Sequence, residues 1–312
     1  MYKYGIISTA SITPRFIDGL RQAKDEAICI ASRDINKAKQ FAKEYSINKY
    51  YGSYEEVYED KDVDIVYIPV INNLHYECAK EALLHKKHVV LEKPFTVKSS
   101  EAKELFKIAK ENNCFLFEGV KNIFVPSTSF VKSNLSKIGE ITNIETRQGT
   151  RKPFPDGHWM YDITKGGGAY FGSAAYVYHY LCYLFNSEVS NLDGDYIPSS
   201  KSDLLCNFTF NLGDIKVNST IDLSKDLENT CIIYGTKGRI IINEFWRSHH
   251  VVVEIGNEAL EFKDDGNEFV YEAKHIQDCL NKGLIESPLI PSKNSISEVY
   301  NIELLYSKWG LL

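Results

Sequence analysis

A lysine set between an acid and a proline, Glu92-Lys93-Pro94, closes the apolar run His88 to Leu91. The carboxyl end of a parallel strand is where open α/β sheets bind their ligands. A partly desolvated amine there takes or gives a proton near neutral pH, which makes Lys93 a candidate acid/base. Much later, Gly166-Gly167-Gly168-Ala169 opens a stretch of helical spacing that carries Tyr176 and His179 on one face. One of these two can complete an acid/base site with Lys93, and the glycines allow close packing against something flat. Two further segments suit a nucleotide. In Ser8-Thr9-Ala10-Ser11-Ile12-Thr13, hydroxyls and a helix start face where phosphates would lie. None of the three glycines of a G-x-G-x-x-G is present, and Ala10 adds one methyl at the middle position. Ser32-Arg33-Asp34 ends the second apolar run. An acid there takes a ribose 2′-hydroxyl, and a guanidinium pairs a 2′-phosphate or stacks on adenine.

The elements that must position these residues follow from periodicity. Over the first 120 residues, short apolar runs at Tyr4–Ile7, Ala27–Ala31, Val63–Val70, His88–Leu91 and Cys114–Phe117 alternate with stretches of helical spacing. Asp34 reads as an N-cap, Ser53 and Glu56 as a capping box, and Ser99 as a cap. Strands alternating with helices of this length predict βαβ units and a doubly wound parallel sheet. After residue 120 the pattern changes. Strands at Ile141–Thr150, Leu204–Leu212, Ile215–Leu223, Thr230–Tyr234, Arg239–Ile242 and His249–Ile255 follow one another, with Gly213-Asp214 and Lys237-Gly238 as turns. Helices are expected near 127–136, 168–185, 268–282 and 295–308. The fold class is therefore α/β: an N-terminal doubly wound domain over 1–120, then a C-terminal α/β domain with an open, mostly antiparallel sheet over 121–312.

Composition narrows the partners. With 36 basic against 42 acidic residues the net charge is −6, so a basic footprint for nucleic acid is missing. No apolar run is long enough to span a membrane, and no signal-peptide core opens the chain. The seven cysteines are an odd, scattered set without a C-x-x-C. That argues against disulfides and metal sites and for a reducing, cytoplasmic location.

Taken together, the segments resemble the glucose-fructose oxidoreductase/inositol dehydrogenase/rhizopine catabolism (Gfo/Idh/MocA) family. They are nearest its dimeric dihydrodiol dehydrogenase, or NADP-dependent D-xylose dehydrogenase, branch. The carrying residues are Tyr4-Gly5-Ile6-Ile7-Ser8, Ala31 to Asp34, Tyr51 to Glu56, Asn72 to His75, Glu92-Lys93-Pro94, Gly166 to Ala169, Tyr271 to His275 and Glu286 to Pro291. The resemblance implies a Rossmann domain and a second domain whose sheet commonly makes a homodimer or higher oligomer. It implies hydride transfer between NADP, or alternatively NAD, and a sugar, polyol or diol. Lys93 matches the catalytic lysine, His75 a histidine near the nicotinamide, and Tyr176 the tyrosine or histidine of the active-site helix. Tyr176 and His179 are expected to share that role. The implied cofactor set is Ser8, Thr9, Ala10, Ser11 and Ile12, then Ser32 and Arg33, then Asn72, Leu74 and His75, and finally Glu92, Lys93 and Pro94. Two departures stand out. The family's usual aspartate is Gly172, so a larger substrate, His179 or Lys121 is expected in the vacated space. Lys121-Asn122-Ile123 replaces a Trp-Thr-Arg run. Two other readings stay open on this fold: a non-catalytic nucleotide-binding regulator, and NAD-assisted glycoside hydrolysis.

Overall fold

The computed structural model describes residues 1–150 and 153–312. The chain runs β1 (Lys3–Ile7), α1 (Thr13–Gln22), β2 (Glu26–Ala31), α2 (Ile35–Glu44), β3 (Lys49–Tyr51), α3 (Glu55–Glu59), β4 (Ile65–Ile68), α4 (His75–Leu84), β5 (His88–Glu92), α5 (Ser99–Glu111) and β6 (Leu116–Gly119). It continues with α6 (Pro126–Asn134), β7 (Ile141–Gly149), α7 (Ala169–Phe185), β8 (Val189–Pro198), β9 (Asp203–Leu212), β10 (Ile215–Asp222), β11 (Thr230–Gly235), β12 (Gly238–Asn243), β13 (His250–Ile255), β14 (Glu258–Lys263), α8 (Glu268–Asn281) and α9 (Ser292–Lys308). Two compact units result. One comprises Met1–Gly119 with Asn267–Val299, the other Val120–Gly266 with Tyr300–Leu312. A single division at residue 120 places 267–299 in the second domain; in the structure that segment belongs to the first.

The first unit is a six-stranded parallel sheet in the order β3-β2-β1-β4-β5-β6. Its central strands are apolar on both faces because helices cover both, so β4 and most of β5 are buried throughout. The order reverses between β1 and β4, which opens a ligand crevice at their carboxyl ends. Asp34 caps α2 as expected, accepting the Asn36 amide at 3.0 Å. Ser99 is not a cap but the first helical residue of α5. Lys98 is the N-cap, and its amide is taken by Glu101 at 3.3 Å. The glutamate's reach back over one turn displaces the serine from that duty.

The second unit is an eight-stranded sheet, β14-β13-β12-β11-β7-β10-β9-β8, antiparallel apart from the β7–β10 pair. Along β9, Cys206, Phe208 and Phe210 are buried, while Leu205, Asn207, Thr209 and Asn211 are wholly or partly exposed. The buried face meets α7 through Tyr170 and Tyr178, whose rings lie edge-on or tilted against Phe208 and Phe210. Thirteen of the seventeen residues of α7 are buried, which its unbroken apolar and aromatic sequence dictates.

Candidate active site

In the first unit the sequence-predicted residues gather at the carboxyl ends of the strands. Ser8 follows β1 with a φ of 150°, glycine's territory, at the position where a nucleotide fingerprint has its first glycine. The loop is tied down locally. Thr13 Oγ1 donates to the Ser8 carbonyl at 3.3 Å, and the Thr13 amide donates to Ala10 at 3.0 Å. At the start of α1 the N-cap is Ile12, no side chain caps the helix, and no acid stands in its first turn. The positive end of the helix dipole therefore meets no carboxylate of its own first turn, which suits a phosphate. At the end of β2, Ser32 Oγ accepts the Asp34 amide at 3.3 Å. Asp34 is thus engaged as a cap. Arg33 is exposed; burial pushes the nearby Tyr54 hydroxyl up while the Arg33 charge pulls it down.

The lysine loop is held from both sides. Before Lys93, buried Glu92 accepts from Tyr67 Oη at 2.6 Å. After it, the Lys93–Pro94 peptide is cis, and the Pro94 carbonyl faces His75 Nδ1 at 2.9 Å. His75 Nε2 faces the Val70 carbonyl at 3.1 Å, so one fully buried ring laces the loop after β4 to the loop after β5. Burial lowers its proton affinity, and the carbonyls it faces pull the other way. Asn72 and Leu74 lie in the one-turn helix between β4 and α4, the asparagine buried. The sequence gives no hint of one neighbour. Glu118 at the end of β6 and Glu298 on α9 have carboxylate oxygens within 4.8 Å of each other. Burial and the Glu118 charge hold the Glu298 carboxyl well above the usual carboxylate range, with Lys93 pulling the other way.

In the second unit α7 carries Tyr176 and His179, both buried. Two of the three glycines that precede it, Gly167 and Gly168, pack against the chain itself. A side chain at Gly167 would strike the Trp159–Met160 backbone, and one at Gly168, φ 135°, would strike Asp203, Tyr306 and Ser202. Asp203 is a residue that local pattern missed. It accepts the Tyr170 amide at 2.7 Å and the Tyr306 hydroxyl at 2.7 Å, and Tyr306 Oη accepts the Phe171 amide at 3.0 Å. The signal was available: a helix that opens on glycine has no cap of its own and must borrow one. The space beside Gly172 is filled neither by His179 nor by Lys121. The methyl of Met160 lies 2.8 Å from where a β-carbon would stand. Lys121 instead donates to Tyr176 Oη at 3.0 Å.

Residues 2–120 match the model of an oxidoreductase family's NAD-binding Rossmann fold, and residues 134–241 match the GFO/IDH/MocA C-terminal domain. The chain is 31% identical over 313 residues to trans-1,2-dihydrobenzene-1,2-diol dehydrogenase of Xenopus laevis, covering 94% of this chain and 93% of the relative. It is 29% identical to the enzyme of that name from Bos taurus, over 93% and 91% of the two chains. In fold it is similar to a 3-ketoreductase from Actinomadura kijaniata in complex with NADP and TDP-benzene, with a TM-score of 0.87 at 24% identity over 98% and 97% of the chains. Levoglucosan dehydrogenase, in complex with NADH and levoglucosan, gives a TM-score of 0.87 at 15% identity over 99% and 97%. With a parallel sheet that reverses at β1 and β4, a glycine-type turn after β1 and both family domains in order, the chain belongs to the GFO/IDH/MocA family of NAD(P)-binding oxidoreductases.

Proposed function

We propose that the chain moves a hydride between NADP(H) and the carbinol carbon of a sugar, polyol or diol, with Lys93, Tyr176 and His179 as its proton-handling residues. One observation supports this above the others. Lys93 follows β5 on a loop fixed by Tyr67 through Glu92 and by His75 through Pro94, in a chain that aligns with a dihydrodiol dehydrogenase over 94% of its length. The bound nicotinamide supplies the hydride donor or acceptor. Ser8 to Ile12 and the start of α1 would hold its pyrophosphate, and Arg33 the 2′-phosphate. Asn72, Leu74, His75, Glu92 and Pro94 would line the nicotinamide end. The Lys93 ammonium would hydrogen-bond the reacting oxygen and polarise it, while Tyr176 takes the hydroxyl proton as a carbinol is oxidised and returns it as a carbonyl is reduced. That role needs a lysine whose position does not wander, and the two flanking bonds provide it.

Lys93→Met keeps length and removes the proton. It is expected to lower kcat ~100- to 10,000-fold on a panel of aldoses and trans-1,2-dihydrobenzene-1,2-diol, while NADP affinity stays within ~2-fold. A Lys93→Met protein that turns over normally removes Lys93 from the mechanism. We further propose a homodimer formed through the open sheet. Its support is the β9 face opposite α7, where half-exposed Leu205, Thr209 and Asn211 alternate with the buried residues. Light scattering that returns a monomer at micromolar concentration would dismiss it. Seven free thiols support work in the cytoplasm.

A further inference from the structure

Tyr176 is gripped at both ends by one turn of chain. Lys121 Nζ donates to its hydroxyl at 3.0 Å and stands 5.3 Å from the centre of its ring. The next residue, Asn122, donates from Nδ2 to the Tyr176 carbonyl at 3.2 Å. That turn is itself anchored, because Thr128 Oγ1 donates to the Asn122 carbonyl at 2.6 Å. Lys121, Asn122 and Thr128 are all buried. A buried lysine is rare unless its charge has work or a partner. Here the ammonium points a proton at a phenol oxygen 55 positions away in sequence.

We propose that Lys121 is the positioning residue for Tyr176, holding its hydroxyl as a hydrogen-bond acceptor so that the phenol's own proton is the one passed to substrate. In the reducing direction the phenol O–H bond breaks and a substrate O–H bond forms. The ammonium keeps all its protons and stabilises the phenolate left behind. In the oxidising direction the same phenolate takes the proton back. A neutral donor in place of Lys121 would orient the ring but leave the phenolate uncompensated in a buried setting. The inference rests on the reading of Tyr176 as a proton-handling residue.

The test is a double-mutant cycle of Lys121→Met and Tyr176→Phe, read twice. The first readout is turnover with NADP on trans-1,2-dihydrobenzene-1,2-diol and D-xylose. Lys121→Met is expected to lower kcat at least ~10-fold with KM within ~3-fold in the wild-type background, yet less than ~2-fold when Tyr176 is already phenylalanine. Lys121→Arg, which keeps the charge and a donor, should recover kcat to within ~3-fold of wild type. Equal losses in both backgrounds, or a Lys121→Arg variant as poor as Lys121→Met, overturn the proposal. The second readout is urea unfolding of the four apoproteins, which needs no turnover. A midpoint loss from Lys121→Met that shrinks when Tyr176 is phenylalanine supports the contact, and strictly additive midpoints refute it. If Tyr176→Phe alone turns over like wild type, the reading of Tyr176 fails. If Tyr176→Phe is crippled while Lys121→Met is not, that reading stands and the role of Lys121 falls.

Discussion

Replacing Asp203 by alanine asks whether the helix that carries Tyr176 and His179 depends on a carboxylate borrowed from β9. The side chain accepts the Tyr170 amide and the Tyr306 hydroxyl, each at 2.7 Å, and Ser202 Oγ lies 3.0 Å away. Ser202 keeps an acceptor in the Gly167 carbonyl at 2.8 Å, so alanine strands two buried donors rather than three. Each stranded donor costs about 1–3 kcal/mol. Against this stands relief from desolvation, since burial raises the Asp203 carboxyl despite its hydrogen bonds. The net expectation is a loss of ~2–4 kcal/mol for Asp203→Ala and roughly half that for Asp203→Asn, which keeps one acceptor oxygen. All three tryptophans, Trp159, Trp246 and Trp309, lie in the second unit, so tryptophan fluorescence during urea unfolding reads that unit. NADP affinity, which reads the first unit, should stay within ~2-fold, whereas kcat should fall because α7 loses its anchor. A loss below ~1 kcal/mol for the alanine variant, or equal losses for alanine and asparagine, would refute the borrowed cap.

Arg33→Ala is expected to weaken NADP binding by ~1.5–3 kcal/mol and NAD binding hardly at all, because only the 2′-phosphate pairs with the guanidinium; calorimetric titration of both cofactors checks it, and parallel losses would count against it. Ser8→Gly should stabilise the apoprotein by ~1–3 kcal/mol, since it relieves the positive φ at the turn after β1, and a melting temperature at or below wild type would contradict this. Glu298 has a folded-state carboxyl raised by burial and by Glu118, so its contribution to stability is complete below the ordinary carboxylate range and is lost as pH rises towards the raised value. Glu298→Gln removes that dependence, so its stability relative to wild type should climb with pH by at most ~1.4 kcal/mol per unit, and a difference that is flat from about pH 5 to 8 would refute the shift.

What could be read from the chain and what could not divides along physical lines. The interior of the first sheet was legible because buried parallel strands must be short, apolar and β-branched, as Val63 to Val70 is. The four later helices were legible from helical spacing or, for α7, from an apolar run too long for one strand. Three strands were missed, β3, β8 and β14, and all three are sheet edges. An edge strand pairs on one side only, so polar sequence such as Ser190-Asn191-Leu192-Asp193 in β8 or the largely exposed β14 carries no alternation to find. At the site, Lys93 was legible because strand-end position and local sequence coincide. Asp203 and Glu298 were not, because each finds its partner across a long stretch of chain, and Lys121, expected beside Gly172, meets the Tyr176 hydroxyl instead. The Tyr306–Asp203 bond spans 103 positions.

The same comparison sharpens the meaning of the two departures on α7 and before it. An aspartate at position 172 would set a negative charge one helical turn ahead of Tyr176. In this chain that position is glycine and the space is filled by the methyl of Met160, so an apolar group replaces a charged one. On the hydroxyl of Tyr176 the chain instead places the ammonium of Lys121. The two changes act in one direction. A carboxylate near a phenol disfavours the phenolate, and an ammonium favours it. Removing the first and adding the second therefore puts a positive charge where a negative one would stand beside the Tyr176 hydroxyl. In the role proposed for Tyr176, that positive charge is what would stabilise the phenolate left when its proton passes to a carbonyl.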